Sequence, residues 1–148
     1  ENTVTRAQMA VFLLRGIHGS GYTPPAVGAG TGFADVPTNH PVAAWLKQLA
    51  AEGITGGCGN GNYCPDAAVT RAQMAIFLLR SKYTSAYTPP PANGDFTDVP
   101  LDHLMVAWIE QLAVEGITGG CGAGVYCPDG NVTRAQLAVF LVRTFNSP

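Results

Sequence analysis

Charge is scarce in this sequence. Asp, Glu, Lys and Arg make up 12% of the 148 residues and balance to −2 at pH 7. A field that weak offers no grip on nucleic acid or on an anionic membrane surface. Histidine occurs three times, at His18, His40 and His103, too scattered to form a ligand cluster. No apolar run approaches the roughly 18 residues of a membrane span. No basic stretch followed by an apolar segment opens the chain, so a signal peptide is expected to be absent or already removed. Gly-x-Ser-x-Gly, Gly-x-x-x-x-Gly-Lys-Ser/Thr and His-Glu-x-x-His are missing too. Glu52 and Glu115 stand singly near expected helix ends and do not form a carboxylate pair. The expectation is a chain that is not an enzyme and uses neither cofactor nor metal.

What the sequence does have is repetition. Hydrophobic residues make up 47%, which excludes disorder, and the length suits a single domain burying about 70% of its unfolded surface. The tetrad Thr-Arg-Ala-Gln is written three times, at residues 5–8, 70–73 and 133–136. Each copy follows a valine and opens an apolar run ending in arginine, at Arg15, Arg80 and Arg143. The pairs Trp45 and Trp108, Asp35 and Asp98, His40 and His103, and Cys58 and Cys121 all stand 63 residues apart. The chain therefore reads as a half repeat (1–17), a linker (18–32), a repeat (33–83), a second linker (84–95) and a last repeat (96–148).

Each full unit predicts two helices. In the first, apolar residues recur at helical spacing: Val42, Trp45, Leu46 and Leu49, then Val106, Ile109, Leu112 and Ala113. Asn39 and Asp102 suit its N-cap, and Gly53 and Gly116 the left-handed position after its end. The second helix opens at the tetrad. Threonine is its N-cap and glutamine completes a capping box. Val4, Val69 and Val132 face Met9, Met74 and Leu137 as hydrophobic staples. These helices are apolar nearly all round and should be central. The linkers, with Tyr22-Thr23-Pro24-Pro25 and Tyr87-Thr88-Pro89-Pro90-Pro91, read as extended, inert spacers.

The four cysteines form two pairs of identical spacing, Cys58/Cys64 and Cys121/Cys127, each in a Gly-rich turn around Tyr63 or Tyr126. Two readings are open. Zinc pairs sit two to four residues apart, closer than these, so local disulfides in an oxidising compartment are favoured over metal. A bridge closing about seven residues is worth ~2 kcal/mol, enough to stiffen a hairpin. Asn60, Asn62 and Asp66 could suggest calcium, but the second copy replaces the two asparagines with Ala123 and Val125. Asp35 and Asp98 read as turn formers or loop anchors.

Phe-x-Asp-Val-Pro, a helix with a central tryptophan, Gly-Ile-Thr-Gly-Gly, an aromatic-Cys-Pro turn and then Val-Thr-Arg-Ala-Gln resemble the S-layer homology repeat. The resemblance covers nearly all the chain outside the linkers. It implies a mainly α, pseudo-threefold domain of helical repeats, secreted and held at the bacterial cell surface. It implies grooves between repeats that bind cell-wall or surface polysaccharide. Transferred position by position, it assigns anion contact to Arg6, Arg71 and Arg134, and groove lining to Trp45, Trp108, Gly56, Gly57, Gly119 and Gly120. From the residues themselves, a packing role competes with each assignment: loop orientation for the arginines and core packing for the tryptophans. This sequence has Gln where the family usually has Glu, and its cysteine pairs are not a general family feature. The alternative function is a self-assembling subunit of an extracellular filament or layer, in which a neighbouring copy completes the half repeat.

Overall fold

The computed structural model describes residues 2–145. Five helices form in order: α1 (Arg6–His18), α2 (Ala43–Ala51), α3 (Arg71–Lys82), α4 (Val106–Val114) and α5 (Arg134–Phe145). Among the described residues there is no extended strand, only isolated bridges. The long helices α1, α3 and α5 pack pairwise on one another, while α2 lies on α1 and α4 on α3. The fold is thus mainly α. None of these helices is long and apolar enough to cross a membrane.

The tetrads start the long helices where expected. Thr5 and Thr70 accept from the N–H groups of Gln8 and Gln73, whose side chains accept in return from the threonine N–H groups. Thr133 and Gln136 repeat the exchange on α5. The staple residues behind them are buried, from Val4 and Met9 to Val132 and Leu137. Those valines do more than pack. Val4 N–H donates to Val132 O, Val132 N–H to Val69 O, and Val69 N–H to Val4 O, at 2.8–2.9 Å. This closed cycle of three bonds ties together the entries to the three long helices. It satisfies backbone groups that would otherwise be buried unpaired.

The short helices begin later than expected, and Asn39 and Asp102 are not their N-caps. The first residues outside α2 and α4 are Val42 and Met105, neither of which caps through its side chain. His40 and His103 brace the turn that leads into each helix. Their Nδ1 atoms accept from Val42 N–H and Met105 N–H at 3.2 and 3.0 Å. The ends match expectation: Gly53 and Gly116 adopt φ of 76° and 75°. Gly53 N–H donates to Ala50 O and Ile54 N–H to Leu49 O, the paired closure of a Schellman motif.

The linkers are not inert spacers. Pro24 and Pro89 are buried. Tyr22 sits edge-on to Trp45 and Tyr87 edge-on to Trp108, with ring centroids 5.9 and 6.0 Å apart. Equivalent positions on α2 and α4 hold the two linkers by opposite chemistry. Lys47 Nζ donates to Val27 O at 2.7 Å, whereas the buried Glu110 carboxylate accepts from the N–H groups of Asn93, Gly94 and Asp95 at 2.7–3.0 Å. Burial pushes the Glu110 carboxyl upward, but these three donors outweigh it and hold it below its ordinary value. A depressed carboxyl stabilises the fold above its unfolded pKa, near 4.3, and loses that contribution as pH falls through the folded value. Glu110→Gln should therefore lower stability by about 1–2 kcal/mol at pH 7, with the gap to the parent closing below about pH 4. Urea midpoints from pH 7 to 3 test this, and a gap of constant size would refute it.

Candidate functional site

Both cysteine pairs are disulfides, Cys58–Cys64 and Cys121–Cys127, each with Cα atoms 6.1 Å apart. Asp98 lies beside Cys121 and Cys127, but with both sulfurs in the bridge that trio is not a metal site. Each bridge closes a turn with a single cross-pair, Gly59 with Asn62 and Gly122 with Val125. Asp35 and Asp98 anchor these turns. Their two carboxylate oxygens accept from the N–H groups of Tyr63 and Cys64, or of Tyr126 and Cys127, at 2.7–2.8 Å. Desolvation works to raise both carboxyls, yet the backbone donors hold them below their ordinary values.

The tetrad arginines meet different fates. Arg6 and Arg71 are 4% exposed. Their Nε atoms donate to Tyr63 O and Tyr126 O at 2.7 Å, and those tyrosine hydroxyls donate back to Arg6 O and Arg71 O. Each guanidinium also lies over two rings: Arg6 over Tyr63 and Phe77 at 4.7 and 5.4 Å, and Arg71 over Tyr126 and Phe140 at 4.5 and 5.7 Å. The first two long helices, α1 and α3, thus each clasp the hairpin of the next unit. Burial lowers the Arg6 pKa, opposed by Tyr63 and Asp35, and raises the Tyr63 hydroxyl to about 12. Arg134 is exposed. It borders a shallow apolar depression with Phe12, Leu137, Ala138 and Leu141.

One cleft gathers several expected residues. It has a volume of about 280 Å³ and lies between α1, α3 and the Ile54–Cys58 turn. Arg6, Gly56 and Gly57 line it together with Arg80 from the end of α3 and Met105 from the approach to α4. Among the described residues no carboxylate lines it. Arg6 Nη2 and Arg80 Nε are buried and have no hydrogen-bond partner among the described residues. Two cations with unused donors in one cleft can take a single anionic group, such as a carboxylate. Arg71, Gly119 and Gly120 occupy the corresponding positions one unit on. Trp45 and Trp108 do not line the cleft. They stand half-buried between the linker tyrosines and the helix-terminal arginines, with Arg15 5.1 Å from Trp45 and Arg80 5.3 Å from Trp108.

Arg80 is the residue that sequence reasoning missed. Its place at the end of a helix is explained by the helix dipole alone. The only further signal is its recurrence at Arg15, which also has a tryptophan in the following unit.

Comparison with known proteins agrees with the family resemblance. Residues 32–75 match the S-layer homology domain. A cell surface protein of Thermoanaerobacter kivui is 33% identical over 126 residues, which is 82% of this chain and 16% of that protein. S-layer protein EA1 of Bacillus anthracis is 27% identical over 127 residues, 86% of this chain and 14% of that protein. The cellulosome-anchoring protein of Acetivibrio thermocellus is 23% identical over 146 residues, 97% of this chain and 32% of that protein. The chain therefore spans between about a seventh and a third of the length of these relatives.

Proposed function

We propose that this chain, a member of the S-layer homology family, is a non-catalytic cell-surface module that holds protein on an acidic wall or surface polysaccharide through the Arg6 cleft. The observation that carries this reading is the pair of guanidiniums, Arg6 and Arg80, with nitrogens that have no partner among the described residues, in a cleft that none of the described carboxylates lines. The glycine turn opposite them leaves room for a sugar ring: a methyl group added at Gly56 would meet nothing within 4 Å. The relatives named for surface layers and for cellulosome anchoring support the same placement.

The self-assembly alternative draws on the apolar depression beside Arg134. It is weakened by the hairpins. Both are already clasped, at Arg6 and Arg71, so a second copy has no free one to offer.

Sedimentation with purified bacterial walls tests the anchoring reading. The chain should co-sediment with intact walls, fail to do so with walls stripped of their polysaccharide, and bind about tenfold more weakly after Arg6→Gln, a difference of about 1.4 kcal/mol. Equal binding to stripped walls, or no binding to intact ones, would overturn it.

A further inference from the structure

The residues lining the cleft (the first groove) have sequence counterparts one unit on (the second groove), and the two sets differ in one arginine. Arg80 and Arg143 stand 63 residues apart, near the ends of α3 and α5. Arg80 lies over the Trp108 ring, borders the cleft and keeps its Nε without a partner. Arg143 makes no such stack among the described residues. Its Nη1 instead donates to Ile117 O at 3.3 Å. Ile117 opens the Ile-Thr-Gly-Gly turn of the second groove and is the counterpart of Ile54, which lines the first cleft. In the second groove, then, the arginine is tied to the groove's own wall.

The difference follows from what stacking uses. An indole ring engages the face of a guanidinium and leaves its in-plane N–H groups available. A bond to a carbonyl consumes one of those N–H groups. Arg15 likewise lies over Trp45, the tryptophan of the next short helix, at 5.1 Å. Met105 adds a second distinction. It reaches the first cleft from the unit that also supplies Trp108.

We infer that polysaccharide binding by this chain is confined to the first groove, and that Trp108 is a positioning residue that keeps Arg80 free as the second anion contact. The inference rests on the wall-binding reading above. Trp108 touches no ligand in this account. It acts through Arg80, and through Tyr87 it couples the groove to the docking of the second linker.

Isothermal titration with short oligosaccharides made from the polysaccharide removed from intact walls tests the inference, with the melting temperature of every variant recorded alongside. About one oligosaccharide should bind per chain. Arg80→Gln should weaken binding about tenfold and Arg143→Gln by less than about twofold. Trp108→Leu should match Arg80→Gln, Trp108→Phe should recover most of the affinity, and Trp108→Leu should add almost nothing once Arg80 is Gln. A merely structural tryptophan would weaken binding equally in both backgrounds. Two equivalents bound per chain, or equal losses from Arg80→Gln and Arg143→Gln, overturn the confinement to one groove. Trp108→Leu without effect on affinity overturns the positioning role. If the parent chain binds no oligosaccharide, it is the wall-binding reading itself that fails.

Discussion

Arg71→Ala should remove about 3 kcal/mol of folding stability, and Arg134→Ala less than about 0.5 kcal/mol, although both arginines sit in the same tetrad. The loss at Arg71 has three sources. Its Nε bond leaves Tyr126 O buried and unpaired, worth about 1–3 kcal/mol. Its stacking over Tyr126 and Phe140, desolvated, adds up to about 2 kcal/mol. Against these, removing a buried guanidinium whose Nη2 has no partner returns part of the desolvation cost. Arg134, exposed and clasping no hairpin, has nothing comparable to lose. Arg6→Ala should resemble Arg71→Ala, because its contacts are the same pair by pair. Equilibrium urea denaturation of the three single variants decides the matter. Equal shifts at Arg71 and Arg134 would mean that the clasp contributes little and that the tetrad arginines are retained for ligand alone.

That contrast marks where the sequence is legible and where it is not. Thr70 and Gln73 could be read because a capping box is satisfied within four residues, and Gly53 because a Schellman turn needs a positive φ at a fixed place after the helix. The cysteine pairs were readable for the same reason: six positions close a turn whatever surrounds it. The clasp was not readable. Arg6 reaches across 57 residues to Tyr63, and Arg71 across 55 to Tyr126, so no local pattern records the contact. The N-caps were misjudged for a different reason. Asn39 and Asp102 have the right chemistry, but the chain makes one more turn, closed by His40 O and His103 O on Ala43 and Val106 N–H, before the helices begin. The linkers looked inert because proline-rich composition says how a segment is shaped and nothing of what it lies on. In the candidate site, Arg6 and the glycine turn were visible as repeated residues. Arg80 was not, because one side chain serves the helix end, the tryptophan and the cleft together.

Gly120→Ala should cost more than about 3 kcal/mol, while Gly119→Ala, its immediate neighbour, should change stability by less than about 0.5 kcal/mol. The family resemblance assigns both to one groove-lining loop, but the backbone separates them. Gly120 has φ of 88°, a region that costs an L side chain about 1–2 kcal/mol by itself. A Cβ there would also stand 2.5 Å from Val125 O, the atom that accepts from Cys121 N–H and closes the hairpin. The obstruction is backbone, held by the disulfide, and cannot swing aside as a flexible side chain would. Gly57 meets Asn62 O in the same way. Gly119 and Gly56 face open space and carry no positive φ. Thermal denaturation by circular dichroism should therefore show Gly120→Ala and Gly57→Ala as strongly destabilised, with Gly119→Ala and Gly56→Ala close to the parent. Similar melting for all four would show that the hairpin relaxes around the added methyl. If the split holds, Gly56→Ala becomes the cleanest probe of the cleft. It adds a methyl group at a residue that lines the cleft without disturbing the fold, so weaker wall binding by that variant would support the proposed site.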